Sequence, residues 1–231
     1  GAPHRVVVTA ETARGSLGSA PHDAAAVAAA RARLAPGGRT GTTEVDGASL
    51  FIHVVRPHAF DVVLFGNGHV GRALVQVLGA LPCRVRWIDE REHDFPATVP
   101  DNVEIVATDA PAAEVADAPR GAYVVVMTHS HDLDFDIVEA ALERHDWAYL
   151  GLIGSKPKRA QFERRLASRG APETELARVT CPIGAKSGLT SKEPGAIAVG
   201  VAAEMLAVRE RLRAASESTT VRALPRRQER T

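Results

Sequence analysis

The 231-residue sequence predicts an α/β fold: a doubly wound parallel sheet with helices on both faces, preceded by a small N-terminal α+β lobe. Three observations predict it. From Asp61 onward, short apolar runs alternate with stretches of helical length and periodicity, the pattern of a parallel sheet with crossover helices. The apolar run 62–65 leads straight into Gly66-Asn67-Gly68-His69-Val70-Gly71, and an apolar-periodic segment follows it. This is the strand–turn–helix order of a dinucleotide-type glycine loop. The next apolar run, 84–88, ends at Asp89, about 20 residues past the glycines, where a ribose-binding carboxylate belongs. Together they make the larger part of the chain Rossmann-like.

The elements follow in order. Residues 5–9 read as a short β-branched strand and 15–19 as a turn. Residues 22–34 read as an alanine-rich helix with Arg31 and Arg33 in its last turn, where cations suit the helix dipole. Pro36-Gly37-Gly38 ends it, and 49–55 is another strand. Residues 1–58 thus form the small lobe, which is short of apolar bulk and needs a surface to pack on. From 59 to 214 the Rossmann-like domain takes over. Its strands are expected at 61–65, 84–88, 103–106, 121–127 and 147–150. Its helices are expected at 69–80, 111–117, 132–144, 156–168 and 195–213. The run 121–127 is the most continuously apolar, as a strand buried on both faces must be. From Arg209 onward the chain is mostly arginine, serine and glutamate, and residues 215–231 read as a flexible tail.

Composition narrows the function. Apolar residues make up 45%, enough for a core, but aromatics only 4%, so that core is expected to be built mostly from Val, Leu, Ile and Ala. Lys plus Arg and Asp plus Glu both number 28, and the zero formal charge carries no nucleic-acid footprint. No apolar run approaches the ~18 residues of a membrane span. Nothing reads as a signal peptide, and Cys83 and Cys181 make no disulfide framework. A cytoplasmic location is the expectation.

In such a sheet, ligands bind beyond the carboxyl ends of the strands, where the strand order reverses. Gly66 supplies the tight turn, Gly68 lets a phosphate approach the backbone, and Gly71 lets helix and strand pack closely. The helix N-terminus, beginning near His69, offers unpaired N–H groups. Asp89 suits a ribose diol or another hydroxyl- or amine-bearing ring, and Arg91 an extra phosphate; a solvated strand-end turn is the plain alternative. Thr128-His129-Ser130-His131-Asp132 follows the fourth strand. Its two imidazoles invite a metal, but zinc needs three or four ligands and no further pair stands at ligand spacing. No metal site is expected, Asp132 is placed to cap the next helix, and the loop lines the ligand. Residues 151–156 form a second glycine loop: Gly154 precedes Ser155, which can cap a helix, and Lys156 makes its start electropositive. Cys181 is either inert packing or a soft ligand or sulfur carrier activated by Lys186 or Lys192. Cys83, at the opposite edge, is packing. No nucleophilic triad order, H-E-x-x-H or P-loop is found, and about 50 residues remain after 180, too few for a catalytic domain. That favours holding a ligand over transforming it, with no catalytic residue assigned.

These motifs resemble the xanthine dehydrogenase accessory proteins, the XdhC-like or XdhC/CoxI family. The resemblance is carried by residues 64–74, 127–134 and 149–156, then Lys158, Arg159 and Phe162, Cys181-Pro182-Ile183-Gly184, and residues 192–198. They stand in family order between 62 and about 206. The resemblance implies a chaperone that binds the molybdenum cofactor (molybdopterin), protects it while a cysteine desulfurase partner sulfurates it, and assists its insertion into xanthine dehydrogenase or a related molybdenum hydroxylase. Taken with the residue reading above, the expected cofactor contacts are Gly66, Gly68, His69, Gly71, Asp89, Arg91, Thr128, His129, Gly154, Ser155, Lys156 and Cys181. The N-terminal lobe departs from the pattern: residues 15–23 hold few glycines where a run is expected, and the lobe has no cysteine. Two alternatives stand beside this reading. One is an NAD(P)-dependent oxidoreductase using His129 or His131. The other is a nucleotide-sensing regulatory domain. A homodimer is expected, to cover the small lobe.

Overall fold

The computed structural model describes residues 4–35, 38, 40–55 and 58–221, with side chains to 215. The chain divides into two compact units, residues 1–57 and 58–231.

The first unit holds two antiparallel hairpins and one helix. Strand β1 (Arg5–Val8) pairs with β2 (Ala13–Ser16), Arg5 opposite Ser16. Helix α1 (Ala20–Leu34) follows. Strands β3 (Gly41–Val45) and β4 (Ala48–Ile52) pair with Val45 opposite Ala48. Their two-residue turn, Asp46-Gly47, has φ +48° and +77°, the left-handed pair a tight hairpin requires. Strands β2 and β3 are not expected from the sequence, and β2 takes in residues 15 and 16 of the stretch expected as a turn at 15–19. Every residue of β2 is exposed, so no apolar alternation marks it.

The second unit carries the parallel sheet. Its strands are β5 (Phe60–Phe65), β6 (Cys83–Asp89), β7 (Val103–Ala107), β8 (Tyr123–Val126) and β9 (Tyr149–Leu152), ordered β7-β6-β5-β8-β9. The order reverses between β5 and β8, which makes their carboxyl ends the switch point. Helices α2 (His69–Gly79), α3 (His131–Arg144), α4 (Lys156–Ser168), the short α5 (Glu173–Leu176) and α6 (Pro194–Val221) complete it. The stretch expected as a helix at 111–117 is a 3-10 turn, Pro111–Val115. Helix α6 continues past residue 213 to Val221, into the segment read as tail; 222–231 lie outside the described residues.

Strand alternation divides the core in two. Val63, Phe65, Val124, Val126, Leu150 and Leu152 face one side, with Phe135 of α3 and Phe162 of α4. Val62, Leu64, Val85, Trp87, Tyr123 and Val125 face the other, with Leu74 of α2 and Ala198 of α6. Successive residues of a strand point to opposite faces, so a sheet covered on both sides needs uninterrupted apolar strands. β8 has all four residues buried.

Candidate functional site

The glycine loop is held at the centre of the sheet edge. Gly66 N donates to the Ile88 carbonyl at 2.9 Å, and Trp87 Nε1 donates to the Gly66 carbonyl at 3.0 Å. Gly66 has φ +115°, and a Cβ there would lie 2.2 Å from the Met127 carbonyl oxygen. A Cβ on Gly71 would lie 2.2 Å from the Gly66 oxygen. Both glycines are therefore demanded by packing. Gly68 differs: its φ is −80°, and a Cβ there would meet nothing within 4 Å. It opens onto free space at the N-terminus of α2, beside the exposed His69.

Asp89 ends β6 and is 4% exposed. Its Oδ1 accepts from Arg91 N at 3.0 Å and Arg91 Nε at 2.8 Å. Its Oδ2 accepts from Asn67 N at 2.6 Å and Arg91 Nη2 at 2.9 Å. Burial alone would raise its pKa, but the Arg91 guanidinium and the Arg91 and Asn67 amides outweigh it and hold the carboxyl below its usual range. Arg91 also reaches Asp94, with Nη1 to Oδ2 at 3.1 Å. Asn67, unremarked in the sequence as the second residue of the glycine motif, is 2% exposed. Its Oδ1 accepts from Arg72 Nε at 3.1 Å, while its buried Nδ2 has no hydrogen-bond partner. Arg72 Nη2 also donates to the Asp94 carbonyl.

The loop after β8 is organised by a residue that the sequence showed only as one acid among several. Asp134 is fully buried, and its Oδ1 accepts from Thr128 N at 2.9 Å and Thr128 Oγ1 at 2.7 Å. Its Oδ2 pairs with Lys158 Nζ at 2.6 Å. Lys158 also donates to the Ile153 carbonyl at 3.0 Å. One buried ion pair thus ties the loop after β8 to the loop after β9. Ser130, not Asp132, caps α3, its Oγ accepting from Leu133 N at 3.3 Å. Asp132 lies one residue inside the helix and meets Arg165 at 3.2 Å instead. His129 reaches across β5 to Glu90, Nε2 to Oε1 3.4 Å.

The second glycine loop is shorter than the sequence suggested, because Gly151 and Leu152 belong to β9. Gly154 follows, Ser155 caps α4 by accepting from Lys158 N at 3.4 Å, and Lys156 is exposed with no ion-pair partner among the described residues. Cys181 is 5% exposed, and its Sγ would lie 3.4 Å from a Cβ on Gly154. Burial raises its pKa, and Lys158 and Arg159 partly offset that. These two cations act on it, rather than Lys186 or Lys192. Cys83 is buried and its thiol is pushed up to about 11 by burial.

The structure therefore brings most of the sequence-derived residues into one rim. It runs from Asp89 and Arg91 through Gly66 and Gly68 to Thr128, then through Asp134 and Lys158 to Gly154 and Cys181. Lys156 and His69 stand exposed at the starts of the two helices that face it. Among the described residues, no group of three or more His, Cys, Asp or Glu side chains is placed to hold a metal ion, and no helix is long and apolar enough to cross a membrane.

A glycine loop at the switch point of a doubly wound parallel sheet defines a Rossmann-like domain. Within that class, the model of the XdhC Rossmann domain family matches residues 62–205, and the chain belongs to that family. A protein of Escherichia coli (strain K12), described as the uncharacterized protein YqeB, is 30% identical over 161 residues; the match covers 68% of this chain and 28% of that one. The crystal structure of a protein described as a xanthine dehydrogenase from Bacillus halodurans superposes with a TM-score of 0.57. It is 20% identical, over 87% of this chain and 54% of that one, and shares the fold. The chain thus spans about a quarter of the first relative's length and about half of the second's.

Proposed function

We propose that this chain binds the molybdenum cofactor in the crevice between the ends of β5 and β8, and serves the maturation of xanthine dehydrogenase or a related molybdenum enzyme. The observation that supports it best is local. In a chain of the XdhC Rossmann domain family, Gly68 faces open space at a helix N-terminus while the neighbouring buried Nδ2 of Asn67 lacks an acceptor. An unmet buried donor costs about 1–3 kcal/mol, and a phosphorylated, polar ring system would supply acceptors for it. The cofactor offers a phosphate, a pterin edge and a dithiolene-bound metal. The α2 amides and Lys156 would hold the phosphate, and Asn67 and Thr128 would orient the polar edge. No side chain of the rim needs to react, which suits a carrier. A cysteine desulfurase and the recipient enzyme are the partners this role requires.

The test is direct titration of the protein with molybdenum cofactor, following tryptophan fluorescence and retained mass, with NADH and NADPH titrated separately. Gly68→Asp places a carboxylate where the phosphate would sit. Lys156→Ala removes a charge-assisted contact of roughly 1.5–3 kcal/mol. Each is expected to weaken cofactor binding about tenfold or more, by the same contact energy. Binding of nicotinamide nucleotides with no affinity for the molybdenum cofactor sinks the proposal.

A further inference from the structure

Asp89 occupies the position from which a dinucleotide fold reads the ribose: a carboxylate at the end of the second strand, accepting from a vicinal diol. That reading requires free lone pairs. A carboxylate has about four acceptor sites, and Asp89 already accepts four hydrogen bonds, three of them from Arg91. The guanidinium lies bidentate across both oxygens and is held from its other side by Asp94. A neutral diol does not displace it: the diol can donate to the carboxylate but brings no positive charge, whereas the guanidinium donates through two parallel N–H groups and neutralises the buried anion. Arg72, beside it, is likewise held, by Asn67 and the Asp94 carbonyl.

We propose that Arg91 is the specificity-determining residue of this crevice: clamped across Asp89, it closes the carboxylate to a ribose diol and so excludes adenosine-type nucleotides while leaving the glycine loop open to a ligand without a diol there. The proposal rests on the glycine crevice being the ligand site, and it sharpens that reading by naming the class of ligand rejected. Asp89 then serves the loop, through Asn67 N, rather than the ligand.

The consequence is a gain of binding. In Arg91→Ala or Arg91→Met, Asp89 keeps its donor from Asn67 N and its donor from the backbone at position 91, and regains a free acceptor on each oxygen. NADH fluorescence titration of the full chain should show affinity rising by about tenfold or more over the unsubstituted protein, as expected for two new hydrogen bonds to a charged acceptor. Adding Asp89→Asn to Arg91→Met should abolish the gain. The methionine variant keeps the alkyl stem and carries the test if the alanine variant does not fold. Unchanged NADH affinity in a folded variant, or a gain that survives Asp89→Asn, overturns the proposal. Micromolar NADH binding by the unsubstituted protein overturns it as well. Molybdenum cofactor titrated in parallel separates the two readings: a nucleotide gain with no cofactor binding by any variant refutes the proposed cofactor but not the role of Arg91.

Discussion

Gly66 and Gly68 stand two positions apart in one loop and answer to different demands. Gly66 combines a left-handed φ with a carbonyl oxygen 2.2 Å from where a Cβ would be. Neither can be relieved locally, because that carbonyl belongs to Met127, whose N–H donates to Phe65 in the sheet. Gly66→Ala should therefore destabilise the fold by about 2–4 kcal/mol, as strained and overpacked sites do. Gly68 has an extended backbone and empty surroundings, and it is the N-cap of α2. Aspartate is a better N-cap than glycine by a few tenths of a kcal/mol, so Gly68→Asp should leave the urea midpoint unchanged or slightly raised while ligand binding falls. Urea unfolding of both variants checks the contrast. A large loss of stability in Gly68→Asp would mean that this glycine too is structural and that its openness says nothing about a ligand.

At the scale of elements, the Asp134–Lys158 pair joins α3 to α4 and, through Thr128 and Ile153, the two loops that close the rim. Removing one partner leaves a buried charge without compensation, at a cost of about 3–5 kcal/mol. Lys158→Met should show that loss in urea unfolding. Asp134→Asn combined with Lys158→Met should recover part of it, because Asn Oδ1 can still accept from Thr128 and no buried charge remains. A double mutant that loses as much as the two single variants summed would mean that the pair does not couple. The sequence could not show this tie, since Asp134 and Lys158 are 24 residues apart and meet only once β8 and β9 pair. What it showed well were the elements with a periodic apolar signal and the glycine loop with its acid, all of which depend on local spacing. Even there, the acid's environment stayed hidden: the spacing does not show that the Arg91 guanidinium lies across Asp89. Strands β2 and β3 escape the sequence for another reason. β2 has no buried residue, so apolar alternation had nothing to detect. β3 is polar along most of its length, and its local mark is the turn that follows it, Asp46-Gly47, a signature independent of hydrophobicity.

Across the whole molecule, the two units differ in what can hold them together. Every residue of the two large core clusters lies at or after Phe60, with Trp87, Phe65, Phe135, Leu64 and Leu74 among the most deeply buried. In residues 4–55, Ala26 is the one buried hydrophobic among those described, while Val7, Phe51 and Val55 are 64%, 71% and 71% exposed. A methyl group contributes little to a core at about 25 cal/mol per Å2 of apolar area removed from water. The first unit should not be stable as an isolated fragment, whereas the second has both faces of its sheet covered by its own helices. A chain starting at residue 58 is therefore expected to unfold cooperatively, at the same urea midpoint as the main transition of the full chain, and to retain ligand binding at the glycine crevice. Circular dichroism through a urea series, with the cofactor titration repeated on the fragment, measures both. Loss of the cooperative transition would make residues 1–57 part of the stability of the sheet; an intact transition with lost binding would instead make them part of the site.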